Sequence, residues 1–236
     1  MIVIGIDVET TGLDPKSCKI IEVGAVAWDT ERNSPLSIFS ELIFVEKIPL
    51  EITEITGIKQ NDTDRFGFSN LEVSNRFHEW VEKIDSNIFV AHNAKFDREF
   101  LENDLSGGKL KSTWSNAMWI DTLTDLNLVN PKSRKLSYLA CDHGFLNPFP
   151  HRAVTDALTM LKLAGMYDWA ETIKRSKSPI RTLIANVSFD NKDLAKSAGF
   201  HWNAESKQWL LDIKECDLER TTFKFKTKEA TNGIIK

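Results

Sequence analysis

Ile2-Val3-Ile4-Gly5-Ile6-Asp7-Val8-Glu9-Thr10 is the stretch on which the fold turns. Its β-branched run reads as a buried strand, and side-chain alternation sends Asp7 and Glu9 to the same face where that strand ends. Two carboxylates converging there repel each other unless a cation lies between them. Hard oxygen donors of this kind suit Mg²⁺ or Mn²⁺ better than zinc.

Working outward, Ile20 to Ala27 is a second strand beyond a turn at Asp14-Pro15, and Ile38 to Val45 a third, which together predict an antiparallel meander. Ser69-Asn70-Leu71-Glu72 has the form of a capping box, after which Phe77, Trp80, Val81 and Ile84 recur at helical spacing. Ile88 to Ala91 is a short buried strand with a helix from about Ala94. A shorter helix around Leu136 to Ala140 ends at Gly144, and a long one is expected from Ala153 to Lys174. Strands, a helix, a strand and further helices give an α/β layer fold, a mixed sheet with flanking helices.

Three more groups join the first pair. Ala91-His92-Asn93-Ala94-Lys95-Phe96-Asp97 puts a carboxylate in the first turn of a helix directly after a buried strand, and His151-Arg152-Ala153-Val154-Thr155-Asp156 adds a histidine and a fourth acid. Five residues of helix turn through about 500°, so His151 and Asp156 cannot share a helical face. Asp156 therefore belongs to the helix and His151 to the preceding Asn147-Pro148-Phe149-Pro150 loop. The ordered set D-x-E, N-x-x-x-D, H-x-x-x-x-D resembles the DEDDh branch of the DnaQ-like 3′→5′ exonuclease superfamily, whose fold is ribonuclease H-like. The resemblance covers roughly Met1 to Ile173. It extends to Thr10-Thr11-Gly12-Leu13, Ile20-Ile21-Glu22-Val23-Gly24-Ala25, Thr56-Gly57-Ile58, and Asp121-Thr122-Leu123 ahead of Leu136 to Leu139.

The resemblance implies a two-metal phosphodiesterase. Asp7, Glu9 and Asp156 would ligate one divalent ion, Asp7 would bridge to a second steadied through Asp97, and His151 would be the general base. Imidazole is the side chain that ordinarily changes charge nearest neutrality, which suits that task. The same resemblance implies that backbone N–H groups of Thr10 and Thr11 meet the terminal nucleotide, with Gly12 permitting close approach and Leu13, Ile58 and Phe96 supplying apolar contact. Each of those three apolar side chains reads equally well as core. Asn93 either orients substrate or caps the helix. Thr56 stands where many members of the family have His before Gly-Ile. His92 reads as a structural residue at a strand end and His143 as part of a helix terminus.

The organisation expected is a catalytic domain over 1–174, a linker over 175–182, a small basic strand-helix-hairpin domain over 183–228 and a tail over 229–236. The small domain is α+β and is similar to an uncharacterised module of phage and plasmid proteins. Phe189, Phe200, Trp202 and Trp209 are its expected mini-core. Lys224, Lys226 and Lys228 alternate with Phe223 and Phe225, so the module also reads as a nucleic-acid grip.

The 236 residues are 42% hydrophobic and include 7 Trp and 14 Phe, which excludes wholesale disorder. A net charge of −4 on its own argues against a basic nucleic-acid binder, but it hides a division. Met1 to Ile173 holds 17 basic and 26 acidic residues, net −9, and Lys174 to Lys236 holds 13 and 8, net +5. Cys18, Cys141 and Cys216 have no C-x-x-C spacing and are expected reduced and buried. There is no signal-peptide pattern and no apolar run of membrane-spanning length, so no membrane partner and a cytoplasmic location are expected.

The function that follows is a 3′→5′ exodeoxyribonuclease acting on a nucleic acid with a free 3′ end, single-stranded DNA in the first instance, and releasing nucleoside 5′-monophosphates. An exoribonuclease of the same family and a catalytically idle nucleic-acid-binding module are the alternatives. No polymerase segment is legible, so proofreading would need a polymerase partner.

Overall fold

The computed structural model describes residues 1–105, 110–128 and 131–230; the expected tail falls largely outside them. The chain divides into two compact units, Met1–Ser176 and Lys177–Lys236.

The first unit is built on a five-stranded sheet in the order β3-β2-β1-β4-β5. Strands β1 (Ile2–Thr10), β2 (Ile20–Asp29) and β3 (Ser34–Leu42) form the expected antiparallel meander, while β4 (Ile88–Ala91) and β5 (Met118–Asp121) run parallel to β1 and to each other. All but the last residue of β2 are buried, because the sheet is covered on both faces. Over one face lie α3 (Asn70–Ile84), α4 (Ala94–Asp104) and α5 (Leu110–Asn116), whose Phe77, Phe100, Leu101 and Trp114 close on Ile4, Ile6, Val8 and Phe89. Ser69 caps α3 through the capping box anticipated from the sequence. Over the other face lies α7 (Ala153–Ala164), whose Ala157, Met160 and Leu161 meet Val3, Val26, Val90 and Ile120. Two short helices, α1 (Leu50–Thr56) and α2 (Gln60–Phe66), follow β3, and α6 (Leu136–Asp142) precedes α7.

Contact between α7 and the sheet depends on two glycines. A Cβ on Gly5 would lie 2.5 Å from Leu161 Cδ1, and one on Gly24 would lie 2.1 Å from the Val154 nitrogen. Backbone against backbone at Gly24 leaves no room for any other residue, and it brings the first turn of α7 directly over the β1–β2 pair.

Four expectations need correction. The long helix from Ala153 to Lys174 is two, α7 and α8 (Trp169–Ser176). Gly165 ends the first, and Asp168 starts the second by accepting the Glu171 N–H at 2.7 Å. The linker is shorter than 175–182. Arg175 is buried with its Nε on the Asp125 carbonyl at 2.8 Å, and the next strand begins at Ile180, so only 177–179 separate the elements. Glu229, assigned to the tail, closes a strand. The cysteines are free, but Cys141 is exposed and Cys18 and Cys216 are half-buried.

The second unit is an antiparallel sheet in the order β7-β8-β6-β9, from β6 (Ile180–Asn186), β7 (His201–Asn203), β8 (Gln208–Lys214) and β9 (Lys226–Glu229). Helix α9 (Lys192–Ser197) follows β6 and stops at Gly199, whose φ of 88° is left-handed; α10 (Glu215–Leu218) follows β8. Leu183, Ala185, Ala195 and Phe200 are its buried core, with Trp209, Phe223 and Phe225 packed on them. Phe223 and Phe225 therefore serve the core, not a base-stacking surface, whereas Phe189 and Trp202, expected in the core, are 78% and 51% exposed.

Candidate active site

Alternation along β1 puts Gly5, Asp7 and Glu9 on the α7 side of the sheet, and on β2 it does the same for Glu22 and Gly24. The antiparallel register sets Asp7 opposite Gly24 and Glu9 opposite Glu22. The place that gives the α7 backbone its closest approach is thus the place where the strand carboxylates cluster.

Glu22 is 1% exposed and is answered by Arg152, the residue that precedes α7. Arg152 Nη2 and Nε donate to its two oxygens at 2.7 and 3.1 Å, and the Ala153 N–H adds a third bond at 2.9 Å. This clamp fixes the start of the helix that carries Asp156. Both oxygens of Asp156 are held in turn: Asn147 Nδ2 donates to Oδ1 and the His151 N–H to Oδ2 at 3.0 Å. His151 sits in the preceding turn, exposed, with a left-handed φ of 62°. Asp97, in the first turn of α4, is buried and takes the Val8 N–H on Oδ1 at 3.2 Å, which ties α4 to β1 next to Asp7.

Glu9, His151 and Asp156 each present one ligand atom within 4.8 Å of the other two. Asp7 and Asp97 lie beside this trio, and the carboxyls feel one another. Burial raises the Asp7 carboxyl well above the usual carboxylate range, with the charges of Asp97, Glu9, Asp156 and Glu22 adding to it. Burial, with the charges of Asp156, Glu22 and Asp97 adding to it and Arg152 opposing, pushes Glu9 up to about 8. Asp97 is raised by burial against the opposing N–H bonds it accepts. Asp156 is raised by burial against the bonds from His151 and Asn147. A cluster of hard oxygen donors that resists ionising without a counter-charge, with one imidazole at its rim, is a donor set that fits divalent cations.

Other expected residues divide. Leu13 is 84% exposed, and Phe96 is half-buried against Phe100 with ring centroids 4.8 Å apart. Ile58 is 2% exposed and packs with Ile21, Val45 and Ile48, so its side chain belongs to the core. The Thr11 N–H is bonded to the Lys19 carbonyl at 2.8 Å and is not free for a nucleotide. Thr10 is buried with its hydroxyl on the Gly12 carbonyl. Asn93 is exposed, left-handed at φ 80°, and its side chain makes no cap bond. Thr56 turns its hydroxyl to the Ile52 carbonyl and the Ile58 N–H. His92 is structural as expected, its ring between Thr122 Oγ1 and the Arg134 carbonyl, each at 2.8 Å. His143 caps α6. A groove of about 720 Å³ adjoins Thr11 and is lined by Lys19, Lys47, Phe44 and Asn70 among others.

Sequence reasoning gave no role to Arg152 or Asn147, and noticed Glu22 and Gly24 only as parts of a motif. A lone Glu inside an otherwise apolar strand was the available signal for a buried ion pair.

A family model described as exonuclease matches residues 4–164. The chain belongs to that exonuclease family. Its relatives include DNA polymerase III subunit epsilon of Treponema pallidum, 34% identical over 162 residues that make up 66% of this chain and 72% of the relative. The 3′-5′ exonuclease DinG of Staphylococcus aureus is 31% identical over 161 residues, 67% of this chain but 17% of that much longer protein. Among solved structures, the nuclease domain of 3′hExo, a DEDDh family member bound to rAMP, superposes with a TM-score of 0.60 over 70% of this chain and 90% of that one, at 19% identity. The exonuclease fold is the ribonuclease H-like mixed sheet expected from the sequence, and the family uses divalent metal ions. Residues 181–228 match a model described as a domain of unknown function. Among the described residues, no helix is long and apolar enough to cross a membrane.

Proposed function

We propose that the chain is a metal-dependent 3′→5′ exodeoxyribonuclease of the cytoplasm that releases nucleoside 5′-monophosphates from single-stranded DNA. The observation that carries this reading is the convergence of Glu9, His151 and Asp156 within 4.8 Å, next to Asp7 and Asp97. In this reading Asp7, Glu9 and Asp156 hold one divalent ion, Mg²⁺ or Mn²⁺, and Asp7 and Asp97 a second. When bound, the ions neutralise charge at the scissile phosphate and make water a better nucleophile near neutral pH.

The chain's own residues do the rest. His151 takes the proton of the attacking water at its ring nitrogen, while its backbone N–H stays on Asp156 and fixes where the ring is hinged. The water oxygen bonds to phosphorus as the bond from phosphorus to the 3′-oxygen breaks in line; that oxygen leaves with the shortened strand and takes up a proton. Exposed Leu13 and the half-buried ring of Phe96 contact the terminal base, and Gly12 and Asn93 shape the backbone around it. DNA is preferred as substrate because the relative that the chain matches over most of its length is named for a DNA polymerase, which also makes a polymerase the partner to seek by co-purification.

The test is loss of label from 3′-labelled DNA and RNA oligonucleotides with Mg²⁺ or Mn²⁺, with Asp7→Ala as control. Metal-dependent release from DNA that the variant lacks is expected. No release from either strand removes the enzyme reading, and faster release from RNA moves the assignment to an exoribonuclease.

A further inference from the structure

The second unit has a surface that its own fold does not use. A groove of about 550 Å³ at one end of its sheet is lined by Phe189, Trp202 and Trp209 together with Lys207, Lys226 and Lys228, and no carboxylate is among the lining residues. Trp209 packs on the core, but Phe189 and Trp202 are surplus to packing. Phe200, with Phe223 and Phe225 edge-on to it at 5.4 and 5.5 Å, already fills the core beside Leu183, Ala185 and Ala195. Phe189 and Trp202 nevertheless stay largely in solvent, Trp202 beside Trp209 with ring centroids 5.6 Å apart. Leaving two large rings exposed in so small a unit forgoes burial that it needs, which marks an interaction surface.

Charge is arranged to match. The register sets Lys226 opposite Asn186 and Lys228 opposite Ile184, so both ammonium groups leave β9 on one face, about 7 Å apart along the strand, while Trp202 and Trp209 share the Ala185 face, and the groove at the end of the sheet is lined from both. Neither they nor Lys207 is paired with a carboxylate among the described residues. Lys192 stands 4.3 Å from the Phe189 ring centroid, adding positive charge at the ring itself. Flat rings and unpaired lysines lining one groove suit a polyanion that carries flat bases; an acidic peptide would satisfy the lysines and leave the rings without a partner.

We propose that this groove binds a single strand of DNA without reading its sequence, its bases stacking on Trp202 and Phe189 and its phosphates on Lys207, Lys226 and Lys228. The choice of DNA over RNA rests on the exodeoxyribonuclease reading; the groove itself does not. It is a second binding site in the chain and needs no 3′ end.

A short circular oligodeoxythymidylate tests this, because a circle has no terminus for the exonuclease site to take. Binding of the labelled circle to the full chain is followed by fluorescence anisotropy in EDTA, so hydrolysis plays no part and failure of the exonuclease reading leaves this readout intact. The wild-type chain should bind, Trp202→Ala should bind about tenfold more weakly, and Trp202→Phe, which keeps a ring, should lose little. Lys226→Ala with Lys228→Ala should flatten the dependence of log K on log salt by about 1.4, or 0.7 for each phosphate contact on a single strand. Hydrolysis of a trinucleotide should be the same in every variant. A circle that the wild-type chain does not bind, or that Trp202→Ala and the lysine variant bind as well as wild type, overturns the proposal. Tighter binding of a circular RNA overturns its assignment to DNA.

Discussion

Glu22 and Arg152 are 130 residues apart in the chain and are joined at 2.7 Å beneath the start of α7. One is a buried strand carboxylate and the other the last residue before the helix that carries Asp156. Their pairing converts the sheet, which is rigid, into the ruler that sets Asp156 and His151 over Asp7 and Glu9.

Arg152→Ala should accordingly injure both stability and rate. It leaves Glu22 buried without its partner; with the guanidinium partly in solvent, the expected loss is about 2 kcal/mol, or roughly 4–8 °C in melting temperature for a unit of this size. Steady-state kinetics should show kcat reduced about tenfold or more with KM little changed, since the substrate contacts remain. A variant with wild-type kcat would show that the pair only stabilises.

His151→Asn separates chemistry from folding. Asn tolerates the left-handed backbone at this position and the side chain is exposed, so the melting temperature should hold. Loss of a general base should lower kcat by about 10²- to 10⁴-fold. Undiminished turnover would assign the base elsewhere.

Asp7→Asn should do the opposite to stability. It removes one charge from a crowded buried cluster, so the metal-free variant should melt higher than wild type while activity falls at least about 10³-fold. Calorimetry in EDTA reads the first and the label-release assay the second.

The raised carboxyls also set a pH dependence. A carboxyl whose pKa is higher in the folded chain than in the unfolded one binds more protons when folded, so the stability it confers is largest at low pH and falls as pH rises. For Glu9, raised from 4.5 to about 8, the window runs between those two values. The melting temperature measured in EDTA should therefore decline from about pH 5 to about pH 8. Added Mn²⁺ should restore it most at the alkaline end, where no proton competes for the ligands. Glu9→Gln should flatten the EDTA curve; a wild-type curve already flat would refute the crowding.

Two glycines make a controlled pair. Gly24→Ala forces a Cβ to 2.1 Å from the Val154 nitrogen and should cost about 3 kcal/mol and most activity, because the start of α7 must move. Gly57→Ala meets nothing within 4 Å but keeps a φ of 73°, so it should cost about 1–2 kcal/mol and leave turnover intact. Thermal melts and label release on both variants check the contrast.

How far the sequence carried these conclusions depended on whether the signal was local. The β1 alternation, the capping box at Ser69 and the His151–Asp156 spacing are each decided within a few residues, and the structure has the same first strand, helix start and loop-then-helix order, whereas the third strand, expected over Ile38 to Val45, lies at Ser34–Leu42. Residues whose meaning depends on a distant partner were opaque. Arg152 is one of many arginines until Glu22 is seen beneath it, and Asn147 is a loop asparagine until Asp156 arrives. Ile58, open between core and substrate contact, and Thr11 were undecided for the same reason, since the core and the Lys19 carbonyl that engage them come from other segments. In the second unit, hydrophobicity alone could not tell Phe200, which is buried, from Trp202, which is not.

The lateness of α7 has a consequence in time. A ribosome adding about 5–20 residues per second makes the Asp7–Glu9 strand and its Glu22 neighbour long before it reaches Arg152, a wait of roughly 7 to 26 s. Throughout that interval Glu9 lacks the two side chains that converge on it within 4.8 Å, because Asp156 and His151 do not yet exist. On the proposed reading, a chain cut short before His151 carries Asp7, Glu9 and Asp97 without the base and the fourth acid, and releases no label.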